Sequence, residues 1–285
     1  MEASVMGYLG PMGTHSEAAA RWLSVQLART GGGERELRPF ADIDAVLHAV
    51  EAGEVASGFV PVENSLEGAI HVTLDTLARS EALVVAREVI WPVHNELMAR
   101  CEAGAVRRIY SHAQPISQCR AYLSAHFPQA ELVEVASTAR AAKLVAAAPP
   151  EEGLAAICTA RAGELYGLSP LAHEIQDSMA NCTRFFEVVR RGMPLALPQE
   201  KLLIICQLDG SRAGSLVNVL QEFAVRGINM TRIESRPART RLGDYIFFFD
   251  LETAVGEACI EAALAAVRAK CSWLKNLGAF PVLQA

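Results

Sequence analysis

From the N-terminus to about residue 190, short apolar runs alternate with segments whose apolar residues recur every three or four positions. That rhythm predicts strands followed by helices, the pattern of an α/β domain with largely parallel sheets. Val5 to Leu9, Gly58 to Val62, Arg108 to Ser111, Leu132 to Val135, Ala155 to Cys158 and Phe185 to Val189 read as strands. After Ser16, the residues Ala18, Ala19, Trp22, Leu23 and Leu27 share one helical face. After Asp42, which suits an N-cap, Val46, Leu47 and Val50 share another. Further helices are expected over about 116–124 and 138–147. The second of these opens at Ser137-Thr138 and stops at Pro149-Pro150, which cannot continue a helix.

The pattern breaks at Arg190-Arg191-Gly192-Met193-Pro194 and again at Leu197-Pro198, where glycine and two prolines separate two strand-like runs. A domain boundary is expected there, dividing the chain into 1–192 and 200–280. Beyond it the order is strand (Leu202 to Leu208), helix (about Ser215 to Arg226), strand (Ile228 to Ser235), strand (Tyr245 to Leu251), helix (Glu257 to Arg268) and strand (Leu277 to Phe280). This βαββαβ order is that of a ferredoxin-like unit.

With 285 residues the chain exceeds one ordinary domain, which agrees with two units. Its residues are 51% hydrophobic, yet no apolar span reaches the roughly 20 residues needed to cross a membrane. Met1-Glu2-Ala3-Ser4 shows no secretory signal pattern, so a cytoplasmic location is expected. Seven cysteines and seven histidines are scattered without Cys-x-x-Cys or His-x-x-x-His pairs, which points away from a metal centre and a disulfide framework. A net charge of -6 provides no basic field for nucleic acid, leaving a small molecule as the expected partner.

Three segments concentrate polar chemistry. Gly10 to Ser16 joins the first strand to the first helix, where Thr14, Ser16 and free helix-start amides can converge on an anion; a turn capped by Ser16 has the same residues. Pro61 to Gly68 gathers Glu63, Asn64, Ser65 and Glu67 at the carboxyl end of a strand, where open α/β sheets bind ligands, or is a polar loop with Ser65 as a cap. Ile175 to Phe186 sets Thr183 beside Arg184 at the entrance to an apolar strand. Alternation directs the two to different faces, and a bend at the strand start would bring both to one pocket.

Together, and in this order, the segments resemble the signature blocks of the prephenate dehydratase family: Gly-x-x-Gly-Thr-x-Ser, Val-Glu-Asn-Ser-x-Glu-Gly and Asn-x-Thr-Arg-Phe. Ser111 to Cys119 and Ser137 to Ala142 resemble weaker blocks between them. The first departs from the commoner Ser-His-Pro-Gln order at Ala113 and Pro115 while keeping Ser111, His112, Gln114, Gln118 and Cys119. Downstream, Gly214-Ser215-Leu216 and Ile233-Glu234-Ser235-Arg236-Pro237 look like the ACT-domain motifs of the monofunctional enzymes of this family.

The resemblance implies a catalytic domain folded like a two-lobed periplasmic binding protein, with lobes of about 1–77 plus 179–192 and 78–178 and a cleft between them. It implies decarboxylative dehydration of prephenate to phenylpyruvate with no metal and no cofactor. Thr183 would donate a hydrogen bond to the leaving hydroxyl and Arg184 would hold a substrate carboxylate, with Asn64 and Ser65 as further catalytic donors. Thr14, Ser16, Glu63, Ser111, Gln114, Thr138, Asn181 and Phe185 would complete the substrate site. Phenylalanine would bind the ACT unit at Gly214, Ser215, Leu216, Asn229, Glu234, Ser235, Arg236 and Pro237, where two copies of a homodimer or homotetramer meet. A cut between Gly192 and Pro198 is expected to leave some catalysis in the N-terminal fragment. Arogenate dehydration and ligand binding without catalysis are the alternative readings.

Overall fold

The structure, a computed structural model, describes residues 4–193, 198–238 and 244–285. Pro194 to Leu197, the centre of the expected domain boundary, lie outside the described residues. The first lobe runs β1 (Val5–Leu9), α1 (His15–Arg29), β2 (Glu36–Phe40), α2 (Ile43–Ala52), β3 (Ser57–Asn64), a two-residue β4 (Gly68–Ala69), α3 (His71–Arg79) and β5 (Leu83–Pro92). The chain then builds the second lobe from β6 (Glu96–Ala99), β7 (Arg108–Ser111), α4 (Ala113–Gln118), α5 (Arg120–His126), β8 (Glu131–Glu134), α6 (Thr138–Ala147), β9 (Leu154–Cys158), α7 (Ala160–Tyr166) and β10 (Ser169–Ala172). It returns to the first lobe as β11 (Cys182–Arg190).

Each lobe is an open sheet with a parallel centre and antiparallel additions. In the first lobe β1 pairs parallel with β2 and β3, and the returning β11 inserts antiparallel between β3 and β5. In the second, β7 is parallel to β8 and β9, while β6 and β10 join antiparallel. The helix starts follow local chemistry. Asp42 caps α2 by accepting the Ala45 amide at 2.7 Å, and Ser137 caps α6 through Arg140 at 3.0 Å. The first helix is capped by Thr14, which accepts from Glu17, and not by Ser16. The single helix expected over 116–124 is two short ones meeting at Cys119.

The C-terminal unit contains β12 (Lys201–Gln207), α8 (Ser215–Ala224), β13 (Met230–Pro237), β14 (Tyr245–Glu252), α9 (Glu257–Arg268) and β15 (Trp273–Phe280). Its sheet order, β13-β14-β12-β15, is ferredoxin-like. The two helices cover one sheet face. The other face packs onto the first lobe: Leu203, Ile205, Phe248, Leu277 and Phe280 join Val60, Val62, Leu74, Leu77, Phe186 and Val188 in one core. A last strand, β16 (Val282–Gln284), then adds to the first lobe's sheet alongside β5. Lys275 of β15 is buried and donates to the carbonyls of Leu77 at 3.0 Å and Ala78 at 3.3 Å, and to that of Ser80, at the C-terminal end of α3. A cation there meets the negative end of the helix. The two units therefore share a core instead of being joined by a tether alone.

Among the described residues, no helix is long and apolar enough to cross a membrane, and no three His, Cys, Asp or Glu side chains gather where a metal could sit.

Candidate active site

The lobes face each other across a cavity of about 370 Å³. The first lobe supplies Thr14, His15 and Ser16 at the start of α1, Asn64 at the end of β3, and Thr183 and Phe185 on β11. The second supplies Gln114 and Gln118 on α4 and Ser137 and Thr138 at the start of α6, with Val93 and Asn95 on the crossing segment. The β11 strand alternates as a pleated strand must. Thr183 and Phe185 line the cavity, with Phe185 stacked on Phe59 at 4.9 Å, while Arg184 points to the opposite face.

A chain of neutral amides holds Thr183. Asn64 donates to the Thr183 hydroxyl oxygen at 3.1 Å and to the Asn181 side chain at 2.9 Å. Asn181 in turn donates to Gln118 at 2.9 Å, and the Asn64 side-chain Oδ1 accepts the backbone amides of Leu66 and Glu67. With its oxygen accepting from Asn64, the Thr183 hydroxyl keeps its own proton for a ligand.

Among the described residues, no lysine or arginine lines this cavity. Positive potential comes instead from helix starts: α1 and α6 both begin at the cavity wall, and the first-turn amides of a helix lack partners within it. The cavity thus presents helix ends and neutral donors, with Glu67 as a carboxylate in its lining.

Several expected residues lie elsewhere. Arg184 cannot hold a substrate carboxylate in this arrangement, because its guanidinium is bound to Glu63 at 2.7 Å and to Glu88 and Asp250 at 2.6 Å each. Glu63 likewise faces away from the cleft, pairing also with Arg232 at 3.1 Å. Ser65 is exposed, and its hydroxyl ties the loop to the backbone of Ala180 and Cys182 at 2.9 and 3.0 Å. Ser111 is fully buried and donates to the Ile157 carbonyl at 2.8 Å, a contact inside the second lobe. Asn181 borders an adjoining cavity of about 340 Å³ that shares Glu67, Gln114 and Gln118 with the first. Thr14, Ser16, Asn64, Gln114, Thr138, Thr183 and Phe185 do come together.

In the C-terminal unit, Gly214, Ser215 and Leu216 line a cavity of about 430 Å³ with Tyr245 and Phe247. Asn229, Glu234, Ser235, Arg236 and Pro237 do not reach it within one chain. Asn229 precedes β13 and the others lie on that strand; Arg236 grips Asp75 of α3 through two contacts of 3.1 Å, and Glu234 pairs with Arg232 at 3.5 Å.

Two cavity residues carried no weight in the sequence. His15 occupies the x position between Thr14 and Ser16, and Asn95 lies on the crossing segment. The His15 Nδ1 accepts from the Trp91 indole at 3.3 Å, so the neutral ring carries its proton on Nε2. The His15 ring interacts with the Asn95 side chain, one donor beside one acceptor in the same buried wall. Burial, with His94 nearby, pulls the His15 pKa down from 6.5 to about 4. Between those values the unfolded chain binds a proton that the folded chain refuses, so stability falls as pH drops through that window. His15→Gln is expected to flatten the fall in melting temperature between pH 6.5 and 4. An unchanged slope would show that His15 titrates normally.

Comparison with known proteins fits this geometry. The family model for prephenate dehydratase matches residues 6–193. A prephenate dehydratase from Amycolatopsis methanolica is 38% identical over 281 residues, covering 97% of this chain and 88% of the relative. The crystal structure of prephenate dehydratase from Arthrobacter aurescens in complex with L-Phe superposes with a TM-score of 0.85 at 32% identity, covering 97% of this chain and 89% of that one. A second structure, GqqA, described as a novel type of quorum quenching acylase, superposes with a TM-score of 0.82 at 26% identity over 98% of each chain.

Proposed function

The chain belongs to the prephenate dehydratase family, and on that premise we propose that the interlobe cleft performs the family's reaction with Thr183 at the bond-breaking centre. In that reaction the ring loses a carboxylate as carbon dioxide. The electron pair of the broken carbon–carbon bond enters the ring, the opposite carbon–oxygen bond breaks, and the departing hydroxyl takes up a proton to leave as water. Aromatisation drives the step, so the enzyme must orient the dianion and ease the departure of a poor leaving group.

The observation that carries the assignment is the bond from Asn64 to the Thr183 oxygen in a cavity lined by helix starts. Asn64 fixes the hydroxyl so that its proton faces the leaving group. The N-termini of α1 and α6, with Ser16 and Thr138, receive the carboxylates without any group having to change protonation, while Thr14 holds the start of α1 by donating to the Pro11 carbonyl at 2.9 Å and capping Glu17. Gln114 and Phe185 shape the remaining wall. Ser65 acts at one remove, by anchoring the loop that carries Asn64.

The C-terminal unit serves as an ACT regulatory domain for phenylalanine. In support, Gly214 starts α8 with a positive φ of 79°, leaving backbone open to a ligand beside Leu216 and Phe247. Among the described residues strand β13 pairs on one edge, with β14, and its other edge suits a second copy, which would bring Glu234 to Pro237 toward the site in a homodimer or homotetramer. A cytoplasmic location accords with a biosynthetic role.

One observation favours a second substrate. Among the described residues, Glu67 is the single acidic side chain lining the cavity, and a carboxylate there suits the ammonium group of arogenate better than a second anion. Steady-state rates on prephenate and arogenate decide between them. The account expects kcat/KM for prephenate to exceed that for arogenate, and Glu67→Gln to move the ratio further toward prephenate. A ratio favouring arogenate reverses the substrate assignment, and turnover of an acylated amine in place of both would align the chain with GqqA.

A further inference from the structure

We propose that Arg184 is a positioning residue through which Asp250 of the C-terminal domain fixes the geometry of Thr183 and Asn64. The proposal builds on the catalytic reading above. Thr183 and Arg184 are consecutive on β11, and across the sheet Thr183 registers with Asn64 while Arg184 registers with Glu63. Each of the two groups that meet in the cleft therefore has a chain neighbour on the reverse face of the sheet.

Those neighbours belong to an ion cluster that spans the domain boundary. Arg184 binds Glu63, Glu88 and Asp250; Arg232 binds Glu63 at 3.1 Å; Lys201 binds Glu88 at 2.9 Å. The first lobe contributes Glu63, Glu88 and Arg184, two anions and one cation, and the C-terminal domain contributes Lys201, Arg232 and Asp250, two cations and one anion. Arg232 also meets Glu234 of its own strand at 3.5 Å, and three of the pairs, Arg184 with Asp250, Arg232 with Glu63 and Lys201 with Glu88, cross the domain boundary. The Glu88 and Asp250 side chains are 0% and 1% exposed, so the domains cannot separate without leaving a buried charge short of its partner. Burial raises the pKa of Asp250 even against Arg184 and Arg232.

The cluster also has room for a second arrangement. Arg184 uses Nη1 for Glu63 and divides Nη2 between Glu88 and Asp250, while its Nε and the Asp250 Oδ1 are both buried without partners. A small relative movement of the domains exchanges this pairing for a two-point one, Nε and Nη2 on both Asp250 oxygens, and releases Glu88. Two discrete pairings form a switchable element, and shifting Arg184 on its strand alters the 3.1 Å contact between Asn64 and Thr183. An effector of the C-terminal domain acts by favouring one of them.

The test is Asp250→Asn in the full-length chain, which keeps the shape and removes the charge. Folding is checked by melting temperature and turnover is measured on prephenate with and without phenylalanine. The expected result without effector is a kcat at least about fivefold lower with KM changed by less than about twofold, in a folded protein. A fivefold change is the lower end of the usual coupling between sites. Asp250→Glu, which restores the charge, should recover part of the loss. With phenylalanine, the variant should bind it by calorimetry as the parent does but lose most of the inhibition. A folded Asp250→Asn with parental kcat overturns the proposal. Should that variant fail to fold, Lys201→Met, at a more exposed end of the cluster, asks the same question, and parental kcat there overturns it as well. If the parent neither binds phenylalanine nor responds to it, the regulatory reading fails, and the kcat of the variants still decides the role of Arg184.

Discussion

Thr183→Ala is expected to lower kcat on prephenate by about 100- to 10,000-fold, the usual worth of a positioned proton-bearing group in a transition state. The loss should fall on kcat more than on KM, because a hydrogen bond to a departing hydroxyl strengthens as negative charge builds on the oxygen. The fold should survive. The Thr183 side chain contributes one accepted bond, from an Asn64 that also donates to Asn181 at 2.9 Å and to the Cys182 carbonyl at 3.2 Å. The strand around it is held by β3 on one side and β5 on the other. Thr183→Ser keeps the hydroxyl but loses the methyl that restricts its rotation, so intermediate activity is expected. Parental turnover in a folded Thr183→Ala would remove the residue from the mechanism.

The second large effect concerns the domain boundary. A chain ending at Met193 is expected not to fold stably, which revises the expectation that the N-terminal fragment keeps some catalysis. Truncation removes Leu203, Ile205, Phe248, Leu277 and Phe280, all of them fully buried against the first lobe. At about 1.5 to 3 kcal/mol for each buried side chain, this is roughly 8 to 15 kcal/mol, as large as the whole stability of a typical domain at about 5 to 15 kcal/mol. It also strips Glu88 of Lys201, Arg184 of Asp250, and the sheet of β16. Purified fragment examined by near-ultraviolet circular dichroism and thermal melting should lack a cooperative transition. A sharp transition with parental kcat would show that the shared core is dispensable.

What could be read from the residues depended on range. Periodicity located the strands and helices whose signals are local, such as Val5–Leu9 and the helix after Asp42, and the three polar blocks led to the cleft. Strand β5 was missed because Arg87 and Glu88 sit in its middle and resemble surface charge. In the folded chain Arg87 pairs with Glu187 on the neighbouring strand and Glu88 with Arg184 and Lys201, partners about 100 residues away. The three-residue β16 has too little sequence to announce itself. The bend that would bring Arg184 into the pocket beside Thr183 does not occur, and the residue meets Asp250 of the C-terminal sheet, a partner no local pattern reveals. Asn95 and His15 matter through their meeting at the cavity wall, 80 positions apart in the chain, which no local spacing reveals.

The central claim is tested most directly by incubating the purified full-length protein with prephenate and measuring carbon dioxide and phenylpyruvate together, beside a folded Thr183→Ala control. The account predicts one carbon dioxide for each phenylpyruvate, formed catalytically by the parent and at least about 100-fold more slowly by the variant. Equal rates in the two proteins, or a folded parent that forms neither product, would contradict it.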